Sequence, residues 1–592
     1  MKDHVKESAK RNYIGLATTF HDSAIAIVNA AGEVVFAEAT ERYLQIKSAI
    51  NVMPDLLTRA VDLINTYCDP DAQLVFAHTW SEQFKHQYRA SHQDIVRKGE
   101  QVREQMGDVP FHLHREFEFI KSITDFLLNS TEFAGKTLAF ELGQVENRRH
   151  LPADITRKYD HHLTHAAAAC YSSPHDEAVC VVVDGFGEHG ASEVFAFKDG
   201  QFTSLLPKVE GEGSLGAFYK WICRTCGFGL LSGEEWKVMG LAPYGKLDAN
   251  LYRILRSTLK VNGLNNLTGG DLQMGRVFGE LYRRERRNNE PLLDYADLAF
   301  TGQAIFEEVL FELLNNVYDL DVSRNLVMAG GCMLNSSANG KVLDNTRFDD
   351  LFVFSAPADD GNALGAALLA YYEDHPYRPK APQQIQSPYL GSRMSHKTLE
   401  HVKQFGRIAK HQSLPGRIHR KAAELLAEGK IIAWVQGRAE FGPRALGNRS
   451  ILADPRSPAV KERVNGEIKF REEFRPFAPS ILHEFGPQYF EHYQETPYME
   501  RTLKFRSDVL DRVPGVVHVD HTGRLQTVKR EWNERYYDLI KAFHDITGVP
   551  LVLNTSFNVM GKPIVHSVED ALAVFFTSGL DALIIEDELF EK

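Results

Sequence analysis

The feature that most constrains this chain is an internal repeat. From Tyr13 to Arg42 the text "YIGLATTFHDSAIAIVNAAGEVVFAEATER" reads as three β-rich runs broken by turns at "FHD" and "NAAGE". The same pattern returns from Ala178, "AVCVVVDGFGEHGASEVFAFKDGQFTSLLP", with turns at "DGFGEHG" and "KDGQ". A strand–turn–strand–turn–strand unit occurring twice, with helical text between and after, predicts two related α/β halves facing one another across a cleft. Turns between strands offer free backbone N–H groups in such a cleft, so they are the expected place for nucleotide phosphates.

A chain of 592 residues exceeds the size at which one core keeps growing, so a second domain is expected. After Tyr371 the text becomes "YEDHPYRPKAPQQIQSPYLGSRMSHKT", which predicts a linker over residues 376–400. Beyond it, "RKAAELLAEGKIIAWVQG" reads as an amphipathic helix, a glycine stop and a buried strand. The expected domains are therefore 1–375 and 401–592.

His161 and His165, in "DHHLTHAAAA", are four apart, so a helix projects both imidazoles from one face. His162 points elsewhere. The apolar strand opening "AVCVVVDGFG" delivers Asp184 to a Gly-flanked turn, and "SAPADDGNALGAALLA" places Asp359 and Asp360 in the same context before a helix. Two imidazoles and two carboxylates make a mixed N/O set suited to Fe(II), Mn(II) or Zn(II). Each aspartate alone could instead be a helix N-cap, the commoner role of Asp before a helix.

"LVMAGGCMLNSSANGK" breaks a buried strand at Gly330 and Gly331 and starts a helix near Asn335, a context that favours an anion or simply a tight turn. Lys237, in "SGEEWKVMGLAPYGK", is a cation for phosphate or a solvated lysine. His21, in the first turn of the first repeat, is a candidate general base for a hydroxyl. Lys47 either neutralises phosphate or lies on the surface.

Between "WVQGRAEFGPRALGNRS" and "KFREEFRPFAPSIL" the chain carries seven arginines: Arg438, Arg444, Arg449, Arg456, Arg463, Arg471 and Arg475. Arginine matches phosphate and carboxylate bidentately, and its clustering here beside Gly, Pro and Phe predicts buried or pocket-lining side chains rather than a solvated face. Arg524, in "DHTGRLQTV", and Asn554 and Ser556, in "VPLVLNTSFNVMGKPIV", add directed donors and acceptors.

Taken together, "FHDSAIAI", "HHLTHAAAA", "VVVDGFGE", "KVMGLAPYG", "AGGCMLN", "QGRAEFGPRALGNRS", "FRPFAPS" and "LNTSFNVMGKPIV" resemble the motifs of the O-carbamoyltransferase family, which includes the nodulation, cephamycin and tobramycin enzymes. The resemblance implies an N-terminal domain of the actin/heat-shock-chaperone (ASKHA) type, as in threonylcarbamoyl transferases, and a C-terminal YrdC-like α/β domain. It implies carbamoyl-adenylate formation from carbamoyl phosphate and ATP in the C-terminal domain. The carbamoyl group would then pass, beside iron or another divalent first-row metal, to a hydroxylated natural-product acceptor, as in antibiotic biosynthesis.

Carried over by residue, the metal ligands are His161, His165, Asp184 and Asp359, with Asp360 the alternative to the last. His21 is the base, with Lys47 a second catalytic group. Lys47, Lys237, Gly330, Gly331 and Asn335 serve ATP phosphates, Mg²⁺ being admissible beside them. Arg444, Arg475, Arg524, Asn554 and Ser556 hold carbamoyl phosphate and the adenylate. "TERYLQIKSA" stands where the family often has "EERF" and a basic run. The charged, histidine-rich stretch from Phe76 to Phe133 matches no family motif and reads as a helical insertion or an acceptor-recognition element.

The net charge of −12 excludes a broad nucleic-acid face. The charged start "MKDHVKESAKRNYIG" lacks a signal-peptide core, and nowhere do about 18 apolar residues run uninterrupted, which predicts a cytoplasmic protein without membrane contact. Its oligomeric state is left open by the sequence between monomer and homodimer. The six cysteines are too few and scattered for a disulfide framework, and "CRTC" at Cys223 to Cys226 reads as buried helix rather than zinc knuckle. A small-molecule kinase on the same duplicated fold would not need the arginine-rich domain. An ATP-dependent binding module would need neither the histidine pair nor "GPRALGNRS".

Overall fold

The computed structural model describes residues 10–86, 155–205, 213–229, 233–268, 279–287, 289–376, 385–406 and 410–592, with Arg97, Val277, Ile408 and most positions from 122 to 138. Most of the Phe76 to Phe133 stretch and residues 377–384 of the expected linker lie outside them.

Strands β1 (Arg11–Ala17), β2 (Ala24–Val28) and β3 (Val34–Ala39) form an antiparallel meander. Strands β4 (Gln73–Thr79) and β5 (Ile155–Tyr159) extend it in parallel, in the order β3-β2-β1-β4-β5. The second module repeats this design. Its meander is β6 (Glu177–Val183), β7 (Ser192–Lys198) and β8 (Gln201–Ser204), joined at Asp199 and Gly200, both at positive φ as a two-residue hairpin turn requires. After a separate hairpin of β9 (Leu259–Asn262) and β10 (Asn265–Thr268), β11 (Asn325–Ala329) and β12 (Asp350–Val353) add the parallel pair, giving β12-β11-β6-β7-β8. The repeat read from sequence is thus a topological duplication of the actin/heat-shock-chaperone kind.

Each module ends in a helix that crosses to the other. Helix His161–Ser172 follows β5 yet packs on β6 and β11, whereas Gly361–Asp374 follows β12 and packs on β1, β2 and β4. The two helices also pack on each other, and the fit is close: a Cβ on Gly365 would lie 1.8 Å from the Thr164 carbonyl oxygen. The alanines after His165 have their physical reason here, because Ala166 to Ala169 are buried between the layers and larger side chains would push the helices apart.

The C-terminal part is a nine-stranded mixed sheet. Its strands are β13 (Lys410–Ser413), β14 (Ile432–Val435), β15 (Arg449–Ala453), β16 (Ala478–Leu482), β17 (Arg501–Lys504), β18 (Thr522–Val528), β19 (Leu551–Ser556), β20 (Ala582–Ile585) and β21 (Glu588–Glu591), ordered β13-β21-β20-β14-β15-β19-β16-β18-β17. The expected helix, stop and strand fall at Ile418–Ala427, Gly429 with φ +78° and β14, whose four residues are all buried. Trp434 anchors a core completed by helix Glu534–Thr547. Cys223 and Cys226 are both buried in apolar core, as the sequence predicts.

Candidate functional site

Where the two modules face one another, the four expected metal-ligand groups converge. Asp160 caps the helix carrying His161 and His165 by accepting from the Leu163 N–H at 3.1 Å, which fixes the first turn. His161 Nε2 stands 3.2 Å from His165 Nε2, 3.4 Å from Asp184 Oδ2 and 3.6 Å from Asp359 Oδ1. His165 Nε2 lies 3.4 Å from Asp359 Oδ1 and 3.9 Å from Asp184 Oδ2. One ligand atom from each group lies within 4.8 Å of all the others, and all four residues are buried.

The surroundings hold these groups in place. Asp184 Oδ1 accepts from the Gly331 N–H at 2.9 Å, which turns Oδ2 toward the histidines. Gly330, at φ +93°, donates to Pro357 O at 2.9 Å, and a Cβ there would lie 2.3 Å from Val183 O. Both N–H groups that the sequence reading gives to phosphate are therefore bonded inside the protein, bracing the segments that carry Asp184 and Asp359. Thr79 Oγ1 meets His161 Nδ1 at 3.2 Å, and Trp80 stacks on His161 with centroids 4.1 Å apart. His162 points away, toward Glu193 at 3.7 Å.

Electrostatics distinguish the neighbours. Burial opposes charge on both cage histidines and prevails at His161, whereas at His165 the hydrogen bond to Asp359 and the two carboxylates outweigh it and raise the pKa. Against their own burial, Asp184 and Asp359 are held below the usual carboxylate range by the histidines. Asp360 is pushed up to about 8 by burial and by Asp22, Glu41 and Asp359; it caps its helix through the Gly361 N–H at 3.1 Å and stands outside the four-residue group. His21 joins the rim, with Nδ1 2.9 Å from Asp22 Oδ2 and 4.0 Å from Asp359 Oδ2. Burial disfavours its charged form, but these carboxylates outweigh that and raise it to about 9.

Three expected phosphate ligands have protein partners. Lys47 pairs with Glu41 at 3.1 Å. Asn335 exchanges amide hydrogen bonds with Gln303 at 3.0 and 3.1 Å and caps the following turn. Lys237 lies between Glu234 and Glu472, at 2.5 and 3.2 Å.

The seven arginines separate into two groups. Arg449 is fully buried and donates to the carbonyls of Gln436, Asn448, Ser392 and Gly437. Arg438 likewise bonds carbonyls of Leu390 and Gly391, Arg456 pairs with Asp454, and Arg463 with Gly429 O and Asp581. These four hold the fold. Arg444, Arg471 and Arg475 instead gather with Arg524 and with Lys469, which the sequence reading did not single out. Burial lowers all five, aided by repulsion from Arg524 at Arg444, from Arg475 and Arg524 at Arg471, and from Arg471 and Arg475 at Lys469. Glu472 is the carboxylate paired with the group, through Arg475 at 2.7 Å.

Several polar atoms here are buried without a hydrogen-bond partner: Nε of Arg475 and Arg524, Nη2 of Arg471 and Oδ1 of Asn554. The Asn554 amide donates to Ala445 O, Ser480 Oγ and Gln526 Oε1, and Ser556 Oγ accepts from Lys469 Nζ at 3.2 Å. Three of these mutually repelling cations thus keep a buried N–H without a partner, an arrangement whose chemistry suits an anion.

One loop links the two sites. Gly442, at φ +109°, comes so close to the segment leading to Asp359 that a Cβ would lie 2.1 Å from Ser355 O. Arg42 donates to its carbonyl at 2.7 Å, and Arg444, two residues on, donates to Leu334 O at 3.2 Å, just after the Gly331 brace.

Among the described residues no helix is long and apolar enough to cross a membrane. The nodulation protein NolO of Bradyrhizobium diazoefficiens is 38% identical over 441 residues, covering 73% of this chain and 79% of its own length. The nodulation protein NolNO of Sinorhizobium fredii is 38% identical over 73% of this chain and 63% of its own length, and an uncharacterized protein of Synechocystis, sll1178, is 36% identical over 73% and 76%. Full-length HypF in its phosphate- and nucleotide-bound form aligns with 62% of this chain and 56% of its own at a TM-score of 0.35 and 11% identity, too distant to carry an inference. Residues 12–368 match the family described as carbamoyltransferase N-terminus and 423–592 that described as carbamoyltransferase C-terminus, so the chain belongs to the carbamoyltransferase family.

Proposed function

We propose that the chain is an ATP-dependent O-carbamoyltransferase with two separate sites. At the cation cluster, water releases phosphate from carbamoyl phosphate, and the carbamate oxygen so freed attacks the α-phosphorus of ATP to give carbamoyl-adenylate while pyrophosphate leaves. At the buried cage the carbamoyl group passes to the hydroxyl of a small-molecule acceptor and AMP leaves. The observation that carries this reading is the set Arg444, Lys469, Arg471, Arg475 and Arg524, five gathered cations of which Arg471, Arg475 and Arg524 each keep a buried unpartnered donor, matching a ligand rich in phosphate oxygens.

The cage suits a divalent first-row metal, Fe(II) among them, because it offers two imidazole nitrogens and two carboxylates at ligand-sharing distances. Such a metal, when bound, supplies Lewis-acid polarisation of an oxygen ligand. Thr79, Trp80 and the Gly331 N–H orient His161 and Asp184 for that role. His21 has Nδ1 bonded to Asp22, which leaves Nε2 for the acceptor hydroxyl; the ring takes a proton only in its neutral form, which the pull of Asp22 and Asp359 controls.

Incubating the purified protein with ATP and carbamoyl phosphate tests the reading. Pyrophosphate and carbamoyl-adenylate are the expected products. ADP with a phosphorylated acceptor would replace it with a kinase, and ATP turnover without carbamoyl phosphate with an ATPase module.

A further inference from the structure

Arg475 belongs to the C-terminal part, yet two residues of the N-terminal part set its guanidinium. Trp236 lies against it, ring centroid 3.9 Å from Cζ. Glu472 Oε2 accepts from Nη1 at 2.7 Å, and the other Glu472 oxygen accepts from Lys237 Nζ at 3.2 Å. Trp236 and Lys237 are consecutive on the short helix Glu235–Leu241. Lys237 is itself buried, 2.5 Å from Glu234 and over the Phe228 ring, so it is a fixed link in the row Glu234, Lys237, Glu472, Arg475.

The alternation of charge along that row has a consequence. Alone with Arg475, Glu472 would neutralise the guanidinium and compete with an incoming anion. Lys237 draws on the same carboxylate, which leaves Arg475 with more of its positive charge, and the Trp236 ring fixes the guanidinium plane without using a donor. The Nε of Arg475 stays buried and unpartnered in the protein.

We propose that Trp236 and Lys237 are positioning residues for the anion site: they keep Arg475 oriented and under-neutralised, so that anion binding in the C-terminal part depends on a helix of the N-terminal part. Neither residue touches the ligand. The inference rests on reading the cation cluster as the site for carbamoyl phosphate and ATP.

Inorganic pyrophosphate, titrated calorimetrically into the full chain, probes the site, and KM for carbamoyl phosphate in carbamoyl-phosphate-dependent ATP consumption gives a kinetic readout. Lys237→Met is expected to weaken pyrophosphate binding about tenfold and raise KM similarly, while kcat falls less than about threefold. In a Glu472→Gln background the same change should alter binding less than about threefold, because the carboxylate through which Lys237 acts has lost its charge. Trp236→Leu should resemble Lys237→Met, and Trp236→Phe should stay close to wild type.

An equal loss from Lys237→Met with and without the Glu472 charge overturns the proposal. Should Lys237→Met not fold, judged by its melting transition, the Trp236→Leu and Trp236→Phe pair decides: equal binding by both overturns it. Arg524→Ala tests the underlying reading separately. If pyrophosphate binding survives that change, the cluster is not the anion site; if binding is lost there but the Lys237 and Glu472 effects are independent, only the positioning role fails.

Discussion

His161 and Asp359 hold corresponding places in the two modules and face one another at 3.6 Å, Nε2 to Oδ1. His161 opens the helix after the fifth strand of the first module, and Asp359 stands just ahead of the helix after the fifth strand of the second. His21 and Asp184 repeat the relationship, each in the turn after its module's first strand. The duplicated scaffold thus aims two pairs of equivalent positions at one point, with imidazoles from the first half and carboxylates from the second.

In the proposed two-site enzyme, damage to this cage should spare the half-reaction assigned to the cation cluster. His161→Ala should lower retained metal at least about tenfold, measured by elemental analysis of the purified protein, and abolish carbamoyl transfer. Carbamoyl-adenylate formation should stay close to wild type, because the cation cluster keeps all its members. Equal loss of both activities in a folded variant would contradict a two-site enzyme.

Asp359 and Asp360 are adjacent but differently placed, so their amides should behave differently. Asp359→Asn replaces a carboxylate in the four-group cage and should lose metal. Asp360→Asn replaces a helix cap bonded to the Gly361 N–H, where asparagine caps about as well as aspartate. Its metal content and melting temperature should therefore stay near wild type; metal loss from Asp360→Asn alone would reverse the assignment.

Arg449 and Arg524 should fail in opposite ways. Arg449→Ala removes four buried hydrogen bonds to backbone carbonyls, leaving Asn448 O and Ser392 O only their backbone N–H partners, and empties the space of a large side chain, so it should destabilise the protein by at least about 3 kcal/mol, read from denaturant unfolding. Arg524→Ala removes a buried cation that repels Arg444 and Arg471, so stability should hold while the carbamoyl-phosphate-dependent half-reaction drops at least about a hundredfold. A destabilised Arg524→Ala with normal activity would move it into the structural group.

This contrast also marks what sequence can convey. Local spacing carried the repeat, the His161/His165 pair and the strand-end aspartates, because strand alternation and helical periodicity are properties of neighbouring residues. It could not tell Arg449 from Arg444, five positions away, because their partners come from remote segments: Ser392 O for one, Leu334 O for the other. Lys469 escaped notice for the same reason, its partners being Ser556 and Asn558 on a distant strand and turn. Gly330 and Gly331 have the composition of a phosphate loop, and only the fold reveals that their N–H groups brace Pro357 and Asp184.

Gly442 is the place where the contact between the two sites can be loosened without substituting a side chain of either. Gly442→Ala would set a methyl 2.1 Å from Ser355 O and strain a backbone at φ +109°, so the loop must withdraw from the segment that carries Asp359. Arg444 would be drawn off Leu334 with it. The cage ligands and the other four cations keep their own supports, so metal content and ATP consumption should persist at a substantial fraction of wild type. Carbamoylated acceptor formed per ATP consumed should instead fall, with carbamoyl-adenylate or its breakdown product AMP accumulating in solution, measured by chromatography of the reaction mixture. Unchanged product yield per ATP would show that this contact does not couple the two sites.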